Sequence, residues 1–234
     1  MSPLIRDVVS AARKTFAALA ADQKDECLHV LKSLLSRLKA SDMNLTDKEL
    51  QFSRWFSFQP PVRFMSVYEE SDFTVTVFIL PEGRKIPLHD HPEMNGLMKC
   101  LSGRIRVTSY SPLPTDQPIT LPASIASRIP ASSTDLLIPC FRQESLVNSD
   151  EETVLCLTPD RGNIHEVEAV ASSSAFLDVL SPPYSDESSC NYYEVIGHVM
   201  DQRLQREVSW LYPLRHSPAD YFTEFVKYRG PDVE

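Results

Sequence analysis

The first fifty residues carry hydrophobic positions at helical spacing, which predicts a helical prefix. Across residues 4–19, apolar side chains recur every three or four positions and so share one helix face. A second apolar stripe covers residues 27–38, and the polar stretch 39–44 ends it. Thr46 followed by Glu49 is a capping-box pattern, which predicts a short third helix. Each stripe needs an apolar surface to cover it, so we expect the prefix to pack against the rest of the chain.

After Pro60 the pattern changes to short alternating and β-branched segments, which predict strands. Proline, serine and acidic residues separate these segments without an intervening helical period, and this favours a closed or sandwich-like antiparallel sheet. Residues 111–134 are predicted to be a long proline- and serine-rich excursion, and residues 202–211 one further helix. The predicted strands are 62–68, 73–80, 97–110, 136–138, 152–157, 167–170 and 176–180.

These patterns predict a mainly β chain in two parts. A helical prefix, residues 1–55, packs on the barrel formed by residues 56–234. Because the prefix is buried most simply against its own barrel, we expect a monomer.

Composition and charge exclude several classes of function. The 234 residues include 32 acidic and 23 basic side chains, and the net charge of −9 argues against nucleic acid as the main partner. No apolar run approaches the roughly 18 residues that a membrane span needs. Charged residues at 6, 7, 13 and 14 interrupt any signal-peptide core. The five cysteines include no C-x-x-C pair, which indicates neither a disulfide framework nor a thiolate zinc site. We therefore expect a cytoplasmic or nuclear protein without a membrane partner.

Three histidines are candidate metal ligands. His89 and His91 are separated by one residue at the end of an apolar segment, so on a strand both imidazoles project from one face. His165 follows the turn residues 159–162, and a neighbouring strand can bring it to the same place. Three neutral imidazoles leave coordination positions open, which is typical of a catalytic metal rather than a closed structural one.

The glycines around these histidines resemble the spacing of the cupins, a family of small β-barrels. Gly83 precedes the first histidine by six positions, and Gly103 follows it. In cupins a glutamate ligand usually stands seven positions before the last glycine, and here that position is Gly96. The resemblance implies a cupin-type antiparallel β-barrel with a three-histidine site. Glu93 is a further candidate ligand only if the strand continues past Pro92.

Several motifs together resemble the thiol dioxygenases, typified by the animal cysteamine (2-aminoethanethiol) dioxygenases and the plant cysteine oxidases. The likeness extends from about residue 60 to about residue 197, with the motifs in the same order. These motifs are Pro87-Leu88-His89-Asp90-His91-Pro92-x-Met94, Leu101-x-Gly103, Gly162-Asn163-Ile164-His165, Phe176-Leu177-Asp178-Val179-Leu180-Ser181-Pro182-Pro183-Tyr184 and Cys190-x-Tyr192-Tyr193.

This resemblance implies one non-haem Fe(II) on His89, His91 and His165, which adds dioxygen to a thiolate and yields a sulfinic acid. The family substrates are cysteamine and proteins or peptides with a free N-terminal cysteine. Oxidation of that cysteine marks a protein for degradation, so the family can act in oxygen sensing. Neutral imidazoles leave the iron its full positive charge, which favours binding of an anionic thiolate. No organic cofactor is required.

The same resemblance implies roles for four further residues. Asp178 matches an active-site aspartate, and its carboxylate is a natural partner for a substrate ammonium or for proton transfer. Tyr184 also matches, with a hydroxyl that can reach the cavity. Cys190 and Tyr192 match the pair that forms a thioether crosslink in animal members, and the adjacent Tyr193 leaves the partner tyrosine open. Relatives commonly have glycine where this chain has Glu93.

Two other classes remain open at the level of sequence. Imidazoles alone do not select the metal, so a zinc hydrolase or another three-histidine cupin has the same ligands. A cupin that binds a ligand or partner without turnover is the non-enzymatic alternative. Cysteamine and a protein N-terminal cysteine are not distinguished, because both present a thiol two carbons from an amine.

Overall fold

The structure is a computed structural model, and it describes residues 3–17, 21–52, 62–114, 119–185 and 189–233. The predicted boundary at residues 55 and 56 lies outside the described residues, as do the side chain of Cys27 and the end of the first predicted helix. No helix in the described ranges is long and apolar enough to cross a membrane.

The helical elements come first along the chain. The capping box is present, since the backbone N–H of Thr46 donates to the Glu49 carboxylate at 3.0 Å and the Thr46 hydroxyl accepts from Lys48 N–H at 3.3 Å. The helices are α1 (Leu4–Ala17), α2 (Ala21–Arg37), a 3₁₀ turn (Ala40–Met43) and α3 (Asp47–Leu50).

The described strands form one open sheet and one closed barrel. The strands are β1 (Val62–Glu69), β2 (Thr74–Leu80), β3 (Lys85–His89), β4 (Asn95–Ser102), β5 (Arg104–Pro112), β6 (Ile138–Asn148), β7 (Leu155–Leu157), β8 (Ile164–Ala169), β9 (Ser174–Ser181), β10 (Tyr192–Asp201), β11 (Arg206–Leu214) and β12 (Thr223–Phe225). The open sheet has the strand order β12-β1-β2-β9-β4-β7, and the barrel has the order β10-β11-β6-β5-β8-β3. The strand pairs in these two units are antiparallel except that of β1 with β12.

The core has two main layers. Helices α1 and α2 cover the outer face of the open sheet, where Ile5 and Leu35 of the helices share an apolar cluster with Val75 of β2. The inner face of this sheet packs on β3, β5, β6 and β8 through residues such as Met98 and Phe176. Strand β9 is buried on both faces, and its sequence is accordingly an apolar run with one acidic residue in it. The predicted mainly β, cupin-type barrel with N-terminal helices is confirmed.

The predicted helix over residues 202–211 is wrong. This region is the turn and the second strand of the β10–β11 hairpin. Strand β11 pairs with β10 on one side and with β6 on the other, and Val208 and Trp210 are buried in an apolar cluster with Leu113. Pairing with distant strands therefore overrides the local spacing, which is compatible with either element.

The predicted strand 97–110 is two strands in different sheets. Gly103 separates β4 from β5 with φ of 72°, a left-handed conformation that favours glycine. A Cβ at this position would lie 2.5 Å from Ser174 Oγ, so the corner is also closed to side chains. In the predicted excursion 111–134, the structure describes α4 (Ala123–Ala126) and the start of a 3₁₀ turn (Ala131–Leu136), and residues 115–118 lie outside the described ranges.

Candidate metal centre

Two strands and one turn bring the three predicted histidines together. His89 is the last residue of β3 and pairs in register with His165 of β8, so the two rings are cross-strand neighbours with centroids 4.9 Å apart. His91 lies in the turn after β3, so the prediction that strand alternation places its side chain is wrong. Its ring nevertheless reaches the predicted position beside the other two. One ring nitrogen from each histidine lies within 4.8 Å of the others, and all three residues are buried.

Hydrogen bonds to two of the rings leave Nε2 available to a metal. His89 Nδ1 lies 2.8 Å from the Pro87 carbonyl, which only accepts, so the proton is on Nδ1. The Tyr184 hydroxyl donates to the Asp90 carbonyl at 2.7 Å and therefore accepts from His91 Nδ1, also at 2.7 Å. This assignment follows from the bonding network and directs both Nε2 lone pairs into the cluster.

Burial keeps the imidazoles neutral. It lowers the pKa of His165 to about 3, and it lowers the pKa values of His89 and His91, the latter also through its two neighbouring imidazoles. Neutral imidazole is the form that binds a metal. His91 Nε2 and His165 Nε2 are 3.3 Å apart, which fits two nitrogen ligands that are each roughly 2.1 Å from a shared ion. The residues present therefore fit a metal held by three nitrogens.

No carboxylate belongs to the histidine cluster that the described residues form. Strand β3 ends before Glu93, which is exposed in the following turn with φ of 59°, so Glu93 is not a ligand. At Gly96, the glutamate position of other cupins, a Cβ would lie 2.8 Å from Leu157 Cγ and 2.9 Å from Leu180 Cδ2. Any larger residue at Gly96 would clash, which explains the missing fourth ligand.

Asn163 and Asp90 support the site, although neither is among the site residues predicted from the sequence. Asn163 accepts from His91 N–H at 3.0 Å and donates to the His91 carbonyl at 2.8 Å, which fixes the turn that carries this ring. Asp90 accepts from the Asn191 backbone N–H at 2.8 Å and from the Tyr193 hydroxyl at 2.8 Å. Both residues stand inside the histidine motifs, and this position was the signal available in the sequence.

A small, mainly apolar cavity of about 160 Å³ adjoins the histidines. Among its walls is Asp178 of β9, only 7% exposed, which makes no hydrogen bond or ion pair with any described residue. Burial raises the pKa of this carboxyl to about 8. The other residues lining this small cavity are Phe78, Ile86, His89, His91, His165, Val167, Phe176, Leu180, Tyr184, Cys190, Tyr192 and Tyr221.

The four residues implied by the resemblance all line this small cavity. Cys190 lines the cavity wall with Tyr184 and Tyr192, both of which affect the pKa of its thiol, and its Sγ lies 3.7 Å from the Asn191 carbonyl. Burial raises the pKa of the Cys190 thiol to about 11 and that of Tyr192 to about 12. Tyr193 instead directs its hydroxyl to Asp90, so Tyr192 is the tyrosine beside Cys190, and the crosslink itself stays a prediction.

Comparison with known proteins gives a family and close relatives. The PCO_ADO family model matches residues 34–233. The chain is 34% identical over 222 residues to a 2-aminoethanethiol dioxygenase of Homo sapiens, covering 89% of this chain and 82% of the relative. It is 28% identical over 220 residues to plant cysteine oxidase 2 of Arabidopsis thaliana, covering 89% and 75%. A solved cupin superfamily protein from Desulfitobacterium hafniense matches with a TM-score of 0.35 at 12% identity, covering 55% of this chain and 84% of that one.

Proposed function

Because the chain belongs to the PCO_ADO family of thiol dioxygenases, we propose that it holds one Fe(II) on His89, His91 and His165 and oxidises an aminothiol to a sulfinic acid. The substrate is cysteamine, or a protein or peptide with a free N-terminal cysteine. The thiol loses its proton, both atoms of dioxygen become bonded to sulfur, and the four electrons that sulfur loses are those that dioxygen gains. When bound, the iron supplies a cation that binds the thiolate and activates dioxygen.

The observation that carries this proposal is the carboxyl of Asp178, which has no hydrogen-bond or ion-pair partner among the described residues and lies beside three neutral imidazoles. A buried polar group without a partner is costly, and a substrate ammonium would both pair with this carboxyl and favour its ionised form. An amine held at Asp178 leaves a thiol two carbons away, within the same small cavity as the histidines. Asp178 thus orients the substrate through its amine.

The other lining residues orient the ligands and restrict the cavity. The Tyr184 hydroxyl holds the His91 ring from the side opposite the cluster, and the phenol partly closes the small cavity against solvent. Cys190 and Tyr192 lie in contact on the same wall, where their crosslinking would release two hydrogen atoms to dioxygen as oxidant. The apolar remainder of the wall excludes water from the reacting thiol.

The test is mass spectrometry of products formed in air by the iron-loaded protein. Cysteamine and a peptide beginning with cysteine should each gain two oxygen atoms, whereas the N-acetylated peptide should not react. Asp178→Asn, which keeps the size of the side chain, should lower the rate about 100-fold while iron stays bound, as expected when a positioned acid–base or charged group is lost. Equal oxidation of the acetylated and free peptides would contradict amine recognition.

Metal analysis separates this proposal from the other three-histidine classes. Protein purified without chelator should contain iron and consume oxygen when thiol is added. Stoichiometric zinc with no oxygen consumption after iron loading would indicate a hydrolytic or purely binding cupin instead. If peptides are oxidised, the cellular role we propose is oxygen-dependent marking of cytoplasmic proteins through their N-terminal cysteine.

A further inference from the structure

A second, larger cavity of about 350 Å³ also has His165 and Asp178 in its wall. Strands β4, β5, β6 and β7 form it, on the faces of β5 and β6 that turn toward the open sheet. On β6, Val147 belongs to the core between the sheets, and Ser145 and Gln143 follow on the same face. We call this space the serine-lined cavity.

Along both β5 and β6, the side chains on this face change from apolar to polar at the same level of the barrel. On β5, Ile105 and Val107 pack in the core between the sheets, and the next residues on that face are Ser109 and Ser111. Ser109 pairs in register with His165 on one side and with Gln143 on the other, so polar side chains lead from the histidine cluster to exposed β6. The interior of a small β-barrel is usually filled by packed side chains.

These polar groups are available to a ligand. Ser111 accepts a hydrogen bond from the Gly162 N–H at 2.9 Å, whereas no hydrogen bond to another described residue is recorded for the side chains of Ser109, Gln143 or Ser145. The volume lies in the range of about 300 to 1,000 Å³ typical of ligand sites, and the small cavity is below that range. Cysteamine in the small cavity would leave the serine-lined cavity empty.

The charge of this cavity is opposite in sign to that of the protein. Lys32 of α2 and Arg161 of the turn before β8 line it, and neither side chain forms an ion pair with a described residue. Among the described residues that line it, the one acidic side chain is Asp178, at the histidine end. A locally cationic wall in a chain of net charge −9 favours an anionic group.

We propose that the serine-lined cavity receives the residues that follow the N-terminal cysteine of a peptide substrate, and that Lys32 and Arg161 select peptides with an acidic side chain there. This inference rests on the proposed function. It assigns the thiol and amine to the small cavity and the rest of the chain to the larger one, with His165 and Asp178 at the junction. The group that Lys32 and Arg161 would recognise is a carboxylate. Free cysteine carries a carboxylate too, so it is the alternative ligand that the experiments must distinguish from a peptide.

Competition between matched peptides tests the selection. Five-residue peptides that begin with cysteine and carry one glutamate, glutamine or lysine at position two, three, four or five, with glycine at the other positions, are compared by kcat/KM. At the preferred position, glutamate should exceed glutamine by about five-fold, the size expected of two partly exposed charge contacts, and the advantage should shrink in high salt. Equal kcat/KM for glutamate and glutamine peptides at every position would overturn the proposal.

Variants locate the effect. Lys32→Gln with Arg161→Gln should remove the glutamate preference and leave cysteamine turnover unchanged. Arg215→Gln is the matched control, because Arg215 is exposed, lines neither cavity, and its loss changes the net charge by the same amount per site. If Arg215→Gln reduced the preference as much as Arg161→Gln, the effect would be the general field of the protein and the assignment would be wrong.

A binding experiment separates failure of this inference from failure of the proposed function. Peptides beginning with serine in place of cysteine are titrated calorimetrically, so the result does not depend on turnover. The glutamate form should bind more tightly than the glutamine form, and Ser145→Phe, which fills the cavity, should abolish the difference. Absence of oxidation with this preference intact would refute only the dioxygenase assignment. A dependence on Lys32 and Arg161 found for free cysteine alone would overturn the peptide assignment.

Discussion

The histidine cluster is held in two different ways. His89 and His165 belong to paired strands, and their separation is set by the β3–β8 register. His91 belongs to a turn, where Asn163 holds its backbone and Tyr184 holds its ring. The strand-held pair rests on backbone pairing of β3 with β8, whereas the turn is held by two side chains and by the Met94 N–H, which donates to the His91 carbonyl at 3.0 Å. We therefore expect the residues that support the turn-held ligand to influence metal affinity without touching the metal.

The largest expected effect is the loss of a strand-held ligand. His165→Ala should abolish turnover and weaken iron retention, because two imidazoles remain, and the fold should persist since the backbone register is unchanged. Bound iron per chain, oxygen consumption and circular dichroism measure the three effects. His198→Ala, at a histidine that contacts Ser209 instead, is the control. Full iron content and activity in His165→Ala would refute the three-histidine site.

The turn-held ligand should be sensitive to a residue that does not ligate. Asn163→Ala removes both hydrogen bonds to the His91 backbone, and we expect metal affinity to fall about 10- to 100-fold, as for other groups that orient ligands. Iron titration in a competing chelator measures this change. Asn163→Asp, which keeps the acceptor and loses the donor, should lie between wild type and alanine. Unchanged affinity in Asn163→Ala would show that the turn holds its shape without this residue.

A smaller effect distinguishes the two tyrosines on the turn side of the site. After aerobic turnover, the intact mass should include a species lighter by two hydrogen atoms, from a thioether between Cys190 and Tyr192. The species should be absent in Cys190→Ala and in Tyr192→Phe but present in Tyr193→Phe, because the Tyr193 hydroxyl is bonded to Asp90. Loss of the species only in Tyr193→Phe would move the crosslink to that residue.

The smallest expected effect concerns the backbone of the turn itself. Glu93 adopts a left-handed conformation with φ of 59°, which costs a non-glycine residue about 1 kcal/mol. Glu93→Gly should therefore raise the free energy of unfolding by up to about 1 kcal/mol, measured by urea denaturation. Glu82→Gly is the control, since Glu82 is also exposed in a turn but is not in the positive-φ region, and it should destabilise slightly. Destabilisation in both variants would contradict this account.

Local pattern and motif chemistry predicted much of the fold and the ligands. The helical stripes and the Thr46 capping box depend on neighbours in sequence and produced the expected helices. Most of the alternating segments fall on strands, but 97–110 is two strands and 136–138 reaches only the first residue of β6. The histidines were identifiable because His-x-His and a third histidine after a glycine turn form an unusual combination. Alternation gave the right outcome for His91 for the wrong reason, since it assumed that the strand continues.

Only the tertiary structure decided the features that depend on partners distant in sequence. Residues 206–214 are a strand because β6 and β10 pair with them, and the corner at Gly103 has no room for a side chain because Ser174 lies against it. The sequence by itself determined which side chains can bind a metal, since this depends on their chemistry. Long-range register determined which of them meet, that Gly96 has no room for a fourth ligand, and that a polar cavity opens beside Asp178, because these depend on which strands are neighbours.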